Sequence, residues 1–316
     1  MEKLDNMGKK LKIIFVGMPD MALVCLPNLI DAGFDIVGVV PPKKNHETYP
    51  YFKHFVGLKG LNLIEFENSC NEKECIEKLK ALEADIGVVC SYNYKLSNDF
   101  IKTTKHGYIN SHPSKLPDYR GAAPYFHIIK NGEKKSAITL HFVDETFDTG
   151  DIIYQKEFDL LPNETMGTLF NRTNFMLSDA LIEVLNDLQT KGKIPRVPQE
   201  KEGCFKEAPK VDGNFKIRWH NSSVFEIENL INASNPFYNA FAFFRGVNMK
   251  IIKAKAYQKQ HEYRFGEIIK TNEKELLIAA RGGILSLEIF QLGTWGVFGA
   301  KEFYDIFSPK AGEILN

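Results

Sequence analysis

A chain of 316 residues with 40 basic and 40 acidic side chains carries no net charge, a balance that does not mark a strong nucleic-acid binder although it leaves room for a local basic patch. Its 44% hydrophobic and 25% charged content is that of a soluble globular protein, and the length predicts two domains. A chain of this size buries about three quarters of its unfolded surface, so it needs no disulfide or metal staple.

Residues 1–10 are polar and lack the apolar core of a signal peptide, and either Met1 or Met7 serves as the start. The run 12–16 is a buried strand of a parallel sheet, ending at Gly17. Gly17-Met-Pro-Asp-Met-Ala then opens a helix with Pro19 in its first turn. A strand-Gly-helix turn is able to bind phosphate, but one glycine falls far short of a dinucleotide fingerprint, and a tight turn is the better reading. Residues 34–40 form the next strand, closed by Pro41 and Pro42, and Lys43 and Lys44 follow as solvated charges rather than phosphate contacts. Two further strands are predicted at 62–65 and 85–90, with a helix at 71–82 between them. Residues 91–96 leave the second strand at its carboxyl end, where α/β sheets bind ligands. Tyr92 and Tyr94 there suit a ligand platform and an ordinary half-buried position equally.

An apolar run then ends in Tyr108-Ile109, and Asn110, Ser111 and His112 follow at once. Pro113, Pro117, Gly121 and Pro124 hold the next stretch as an extended loop. Asn110 and His112 are two apart, so on a strand they share a face. One offers an amide to a developing oxyanion, the other an imidazole that titrates near neutrality. Loop chemistry that only satisfies local backbone is the competing reading. A short helix at 123–130, strands at 136–143 and 152–158, and a bend at Asp148 before Gly150 come next. The longest helix, 165–191, carries Leu169, Phe170, Leu177, Leu181, Val184, Leu185 and Leu188 at three- and four-residue spacings, a core stripe. Gly192 stops it, and a polar linker runs over 193–209. Beyond 210 the texture is short β-like runs at 215–219, 240–244, 249–253, 276–280 and 284–290, with one helix at 223–232, which predicts a small OB-like β-barrel.

Asn110-x-His112-Pro113, then Leu116-Pro117-x-Tyr119-Arg120-Gly121-x-x-Pro124, then Phe147-Asp148-Thr149-Gly150-Asp151, in this order, resemble the formyltetrahydrofolate-dependent formyltransferases. The opening Gly17-x-Pro19-Asp20-x-Ala22 and, in the second half, Ile217-Arg218-Trp219 and Asn235-Pro236 extend the resemblance over nearly the whole chain. Two departures are Lys115, where the loop usually carries an apolar residue, and Tyr238-Asn239, where Pro-Gly is common. The resemblance implies a Rossmann-like parallel-sheet catalytic domain over 1–192, the linker 193–209 and a smaller OB-like barrel over 210–316. It implies a catalytic trio of Asn110, His112 and Asp148, and 10-formyltetrahydrofolate as co-substrate. Folate-side residues are expected at Ser91, Tyr92, Asn93, Tyr94, Leu96 and Asp144, and acceptor-side residues at Tyr119, Arg120 and Gly121. Arg120 fits a buried structural role as well as a phosphate or carboxylate anchor.

Within the family, methionyl-tRNA formyltransferases usually carry a longer Arg- and Gly-rich loop after the second strand, and that loop is missing here. With the neutral charge, this favours a nucleotide-linked amino sugar as acceptor over methionyl-tRNA. The lysines at 250, 253, 255 and 259 keep a tRNA contact open, against the alternative of a solvated edge strand. A formyl-folate hydrolase and a catalytically silent folate- or nucleotide-binding module are the remaining readings. Cys25, Cys70, Cys75, Cys90 and Cys204 form no Cys-x-x-Cys, and read as buried or incidental thiols in a reducing cytoplasm. The eight histidines show no metal-ligand spacing, so no metal is expected. A cytoplasmic protein without a membrane span, monomeric or homodimeric, is the expectation.

Overall fold

Strands covered on both faces have no solvent side and so read as unbroken apolar runs, and that pattern builds the centre of the first sheet. A computed structural model describes residues 10–200, 202–210 and 215–316; the two candidate starts, Met1 and Met7, lie outside them. Strands β1 (Lys12–Gly17), β2 (Asp35–Val40), β3 (Ile86–Cys90) and β4 (Tyr108–His112) pair in parallel in the order β2-β1-β3-β4. A two-residue strand, β5 (Arg120–Gly121), follows. Next, β6 (Lys135–Phe142) joins β4 antiparallel, and β7 (Ile152–Asp159) completes a six-stranded sheet. Farther on, β8 (Phe205–Lys206) pairs in parallel with β5.

The helices accompanying these strands are α1 (Pro19–Asp31), α2 (Tyr49–Leu58), α3 (Lys73–Lys80), α4 (Asn98–Ile101), α5 (Pro124–Lys130) and α6 (Met166–Lys191). Leu177, Leu181, Val184, Leu185 and Leu188 of α6 are buried in one core with Ile13, Phe15, Val88, Ile109 and Leu140, as the stripe predicts. Each buried aliphatic of this kind stabilises the fold by about 1.5–3 kcal/mol. On the opposite side Ile14, Val16, Val89, Phe100 and Tyr108 form a second core. The two-residue period of β4 thus sends Ile109 to one core and Tyr108 to the other, and Asn110 and His112 continue the Tyr108 face beyond its apolar part.

Close contacts divide the chain into two units. The first comprises Met1–Pro124, Lys135–Phe158 and Asn171–Lys206, and the second Tyr125–Lys134, Asp159–Phe170 and Glu207–Asn316. Inside the second unit, Phe126 meets Phe215 and Tyr238 edge-on at 5.7 and 6.0 Å, and Phe170 lies 6.3 Å from Phe237. Helix α7 (Val224–Ser234) begins with a capping box, the Ser223 hydroxyl accepting from Glu226 N–H at 3.3 Å while the Glu226 carboxylate accepts from Ser223 N–H at 2.6 Å. Strands β9 (Phe241–Phe244), β10 (Val247–Gln258), β11 (Ile268–Thr271), β12 (Leu276–Ala280) and β13 (Gly283–Leu292) form an antiparallel sheet in the order β11-β12-β13-β10-β9. Strand β14 (Gly296–Phe298) pairs with β13, and α8 (Ala300–Phe307) follows. The curl of this half-barrel is visible in its hydrogen bonds. Glu313 O accepts from Ile268 N–H at 2.8 Å beside β12, and Phe243 N–H donates to Asn316 O at 2.7 Å on β9. The segment 313–316 thereby bonds to both outer strands of the sheet.

Four expectations change. Residues 62–65 make only a single parallel bridge, Val39 to Leu63, instead of a strand. Residues 215–219 likewise hold one bridge, Lys216 to Phe241. In both, a β-like composition is satisfied by burying alternate residues without a ladder; Phe215, Ile217 and Trp219 are at most 4% exposed. Helices α2 and α8 were not expected. The buried pair Phe52 and Val56, four apart on α2, was the available signal. Of the lysine row at 250–259, Lys250 is not on an edge, having β9 and β13 on its two sides, whereas Lys253 and Lys255 are exposed and pair with β13 alone.

Candidate active site

Cross-strand pairing at the β4–β6 border sets the site. Asn110 stands opposite His141 in the antiparallel register, so a residue on each strand faces the same side. The loop after β6 turns back at Asp148, whose φ of +58° is left-handed, and so lays its carboxylate against both. Gly150 makes the return possible: a Cβ there would lie 1.8 Å from Phe142 O. Ser91 (φ +51°), Tyr119 (φ +57°) and Ala123 (φ +55°) adopt the same sparsely populated conformation. Such positions cost of order 1–3 kcal/mol each and persist where surrounding structure enforces them, often at functional sites.

The polar contacts are dense. The Asn110 amide Nδ2 donates to Asp148 Oδ1 at 3.0 Å and lies 3.0 Å from His141 Nε2. Asp148 Oδ2 accepts from Gly121 N–H at 2.8 Å. His112 Nε2 lies 2.9 Å from Tyr119 O, and a carbonyl only accepts, so Nε2 carries the hydrogen. In neutral His112 the lone pair is then on Nδ1, 3.6 Å from Asp148 Oδ1. His141 is fixed the same way: Nδ1 donates to Phe142 O at 2.9 Å, leaving the Nε2 lone pair for Asn110.

Electrostatics follows from burial and from these donors. Burial pushes the His112 imidazole below its ordinary range, opposed by the Asp148 charge and the Tyr119 carbonyl, so it rests neutral. Burial would raise Asp148, but the Gly121 N–H, and the charge of His112 whenever that ring is protonated, outweigh it and hold the carboxyl well below the usual range. The fixed backbone donor favours the ionised form of Asp148 whether His112 is neutral or charged. The site is an ionised carboxylate with a neutral, buried base beside it.

Arg120 is 7% exposed, and its guanidinium turns into the protein. Nε donates to Asp148 O at 3.1 Å, and Nη2 to Gln199 Oε1 at 2.7 Å and Glu200 O at 3.1 Å. Gln199 Nε2 in turn donates to Asp148 O and Gly150 O at 3.1 and 2.7 Å. Of the two roles open to Arg120, the contacts match the structural one: the donors expected to grip a ligand are committed to the Asp148 loop. Gln199, in the predicted linker, has no signal in the sequence. His141 had one, since it stands two residues beyond the buried Thr139 on the same strand face, but the β4–β6 register that aligns it with Asn110 is tertiary.

The folate-side residues fall in two places. Past β3, Tyr92 and Tyr94 are half-buried with their rings edge to face at 5.2 Å, Ser91 and Asn93 are exposed, and Leu96 is buried. Tyr92, Asn93 and Tyr94 make no backbone–backbone hydrogen bond among the described residues, leaving N–H and C=O groups open to the edge of a planar heterocycle. Asp144 is spent on its own loop, accepting from Thr146 N–H at 3.0 Å and the Thr149 hydroxyl at 2.8 Å. Among the described residues no group of acidic, Cys and His side chains is arranged to hold a metal, and no helix is long and apolar enough to cross a membrane.

A doubly covered, mostly parallel sheet with an Asn, His and Asp meeting at the carboxyl end of one strand, followed by an antiparallel half-barrel, is the architecture of the formyltransferases. The family profiles described as formyl transferase and formyl transferase C-terminal domain match residues 31–185 and 211–307. A methionyl-tRNA formyltransferase of Clostridioides difficile is 32% identical over 89% of this chain and 92% of that protein. One from Thermodesulfovibrio yellowstonii is 34% identical over 92% and 94%. The chain belongs to the formyl transferase family. Among solved structures, the N-formyltransferase of Helicobacter canadensis, crystallised with folinic acid and dTDP-3-aminofucose, superposes with a TM-score of 0.66 at 21% identity, covering 88% of this chain and 98% of that one. A sugar 3N-formyl transferase crystallised with dTDP and 5-N-formyl-THF gives 0.66 at 20% identity, covering 89% and 98%. At these identities the likeness is one of fold.

Proposed function

We propose that this enzyme moves a formyl group from 10-formyltetrahydrofolate to a primary amine carried by a nucleotide-linked amino sugar. The observation that supports the transfer is the buried His112, with Nδ1 3.6 Å from the Asp148 carboxylate to which the Asn110 amide also donates. The folate co-substrate supplies the activated formyl carbon, with its pterin edge against the backbone of 92–94. The amine attacks that carbon, and negative charge develops on the formyl oxygen. His112 Nδ1 takes the amine proton, and the resulting imidazolium is stabilised by Asp148. The same proton passes to the departing folate nitrogen as the carbon–nitrogen bond breaks, so the site returns to its starting charge. Asn110 donates to the oxyanion, one of its amide hydrogens exchanging a protein acceptor for the formyl oxygen. Arg120 and Gln199 hold the Asp148 loop in register. On this proposal 1–192 carries catalysis, 193–209 connects, and 210–316 forms the second domain.

The acceptor reading is supported by the two lysines after β2. Lys43 Nζ sits 5.1 Å from the Tyr94 ring centre, and Lys44 is ion-paired with Glu67. Both lean on side chains of the protein's own surface, and no longer basic loop accompanies them. Methionyl-tRNA is the second reading, favoured by the 32–34% identity to methionyl-tRNA formyltransferases over nearly the whole length. The experiment offers the protein 10-formyltetrahydrofolate with methionyl-tRNA or with a panel of nucleotide-linked amino sugars, and identifies products by mass spectrometry. A formylated sugar nucleotide is the expected product. Efficient formyl-methionyl-tRNA formation that weakens steeply with salt overturns the acceptor. Formate alone, or no product, overturns the transfer.

A further inference from the structure

We infer that His141 is a positioning residue for the reaction proposed above, because its Nε2 lone pair fixes the plane of the Asn110 amide. The inference rests on that proposal for its consequence, but not for its geometry. Asp148 alone would hold the amide through one hydrogen, about which the group is free to pivot. A second acceptor removes that freedom. Asn110 Nδ2 lies 3.0 Å from Asp148 Oδ1 and 3.0 Å from His141 Nε2, so its two hydrogens have two separate acceptors. Its Oδ1 has no hydrogen-bond partner among the described residues.

His141 serves as an acceptor only in one tautomer, and its surroundings select that one. Nδ1 is committed as a donor to Phe142 O at 2.9 Å, which places the lone pair on Nε2. The ring is 2% exposed, so water does not compete for it. His112 approaches edge-on at 6.4 Å between ring centres, and the Asp148 Oδ1 stands 3.4 Å from Nε2. With Nε2 bare, that carboxylate has no hydrogen to take from His141 and takes it from Asn110 instead. The chain of donors runs from Asn110 outward to both acceptors, and the nitrogen end of the amide is kept beside Asp148 and His112. A histidine that merely filled space would need neither the tautomer nor the register.

The test has two arms on the intact protein. Long-range proton–nitrogen NMR reads the His141 tautomer and the exchange of the Asn110 side-chain hydrogens, with no substrate present. The expected result is a protonated Nδ1 and a bare Nε2, with slow Asn110 exchange that is lost in His141→Leu and kept in His141→Gln, whose amide oxygen still accepts. A protonated Nε2, or unchanged Asn110 exchange in His141→Leu, overturns the inference whether or not the protein transfers formyl groups. In the kinetic arm, His141→Leu lowers kcat about ten- to a hundredfold with KM for formyl-folate little changed, the size usual for an outer-shell orienting partner. His141→Gln recovers most of that loss. Equal losses in the two variants with a raised KM, or none in either, overturn the positioning role. An inactive wild-type protein with the expected NMR result counts against the proposed activity and not against the geometry.

Discussion

At the scale of single residues, the proposed site rests on one contrast: the donors around Asp148 favour its charged form, and burial favours the neutral form of His112. Substituting Asn110, His112 or Asp148 by Ala should each lower formyl transfer at least about 10²-fold, the cost of losing one preorganised group. Circular dichroism and thermal unfolding check that the variants remain folded, and a variant with near-normal turnover at saturating donor removes that residue from the mechanism. On the proposed mechanism the three act as a unit, so double substitutions should cost little more than single ones. Stability carries the same signature. His112 sits lower in the folded state than in the unfolded chain, so below its ordinary value of about 6.5 the unfolded state binds more protons and stability falls. Asp148 adds a second loss, because a depressed carboxylate stabilises above its ordinary value of about 4 and ceases to below it. Urea midpoints measured from pH 8 to 4 should therefore drop from about pH 6.5 downward. In His112→Gln, which keeps a donor for the Tyr119 carbonyl, the first part of that drop should flatten. An equally steep drop in the variant assigns the proton uptake elsewhere.

At the scale of elements, the β6–β7 connection is the piece with least room to change. Its return past Phe142 needs a glycine, since a Cβ on residue 150 would meet the Phe142 carbonyl oxygen at 1.8 Å. Gly150→Ala should displace the Asp148 loop, destabilise the protein by about 1–3 kcal/mol as overpacked sites do, and lose activity with it. Wild-type activity in that variant would mean the loop has an alternative path. The clamp behind the loop gives a milder test. Gln199→Ala leaves the buried Arg120 Nη2 with one acceptor in place of two, and hydrogen bonds to charged groups contribute about 1.5–3 kcal/mol. A fall in denaturant midpoint is expected, with kcat reduced as the loop loses one anchor at Asp148 O and one at Gly150 O. An unchanged midpoint would make the clamp incidental.

At the scale of the whole molecule, the two units are not two successive halves of the sequence. Tyr125–Lys134 and Asp159–Phe170 belong with Glu207–Asn316 in the second unit. A chain ended after Pro209 therefore keeps Phe126 and Phe170 but loses their partners Phe215, Phe237 and Tyr238. Apolar aromatics left uncovered this way promote association. The truncated chain should aggregate at concentrations where the intact protein does not, and replacing Phe126 and Phe170 by Ser should restore its solubility. Light scattering decides it; a soluble, unmodified fragment would show that these rings find other cover.

Much of this protein was legible in its order of residues. Apolar runs gave the parallel strands, the three- and four-residue spacing gave α6, and Asn110 and His112 stood out as polar side chains ending an apolar strand before Pro, while Asp148 was singled out by the family resemblance of its Phe-Asp-Thr-Gly-Asp motif. Those signals are local: each depends on a residue and its near neighbours along the chain, through the periods of strand and helix. The register between β4 and β6 is not local. It is set by how two strands far apart in the chain find their hydrogen bonds, and only that register puts His141 opposite Asn110, 31 positions earlier. The same is true of Gln199, which meets Arg120 from 79 positions away, and of the orientation of Arg120 itself, whose five donors suit a ligand and a loop equally well until the neighbours are in place. Sequence determined which groups were available to the chemistry. Tertiary structure decided which of them are committed to one another, because a hydrogen bond depends on distance in space and the chain fixes distance only between near neighbours.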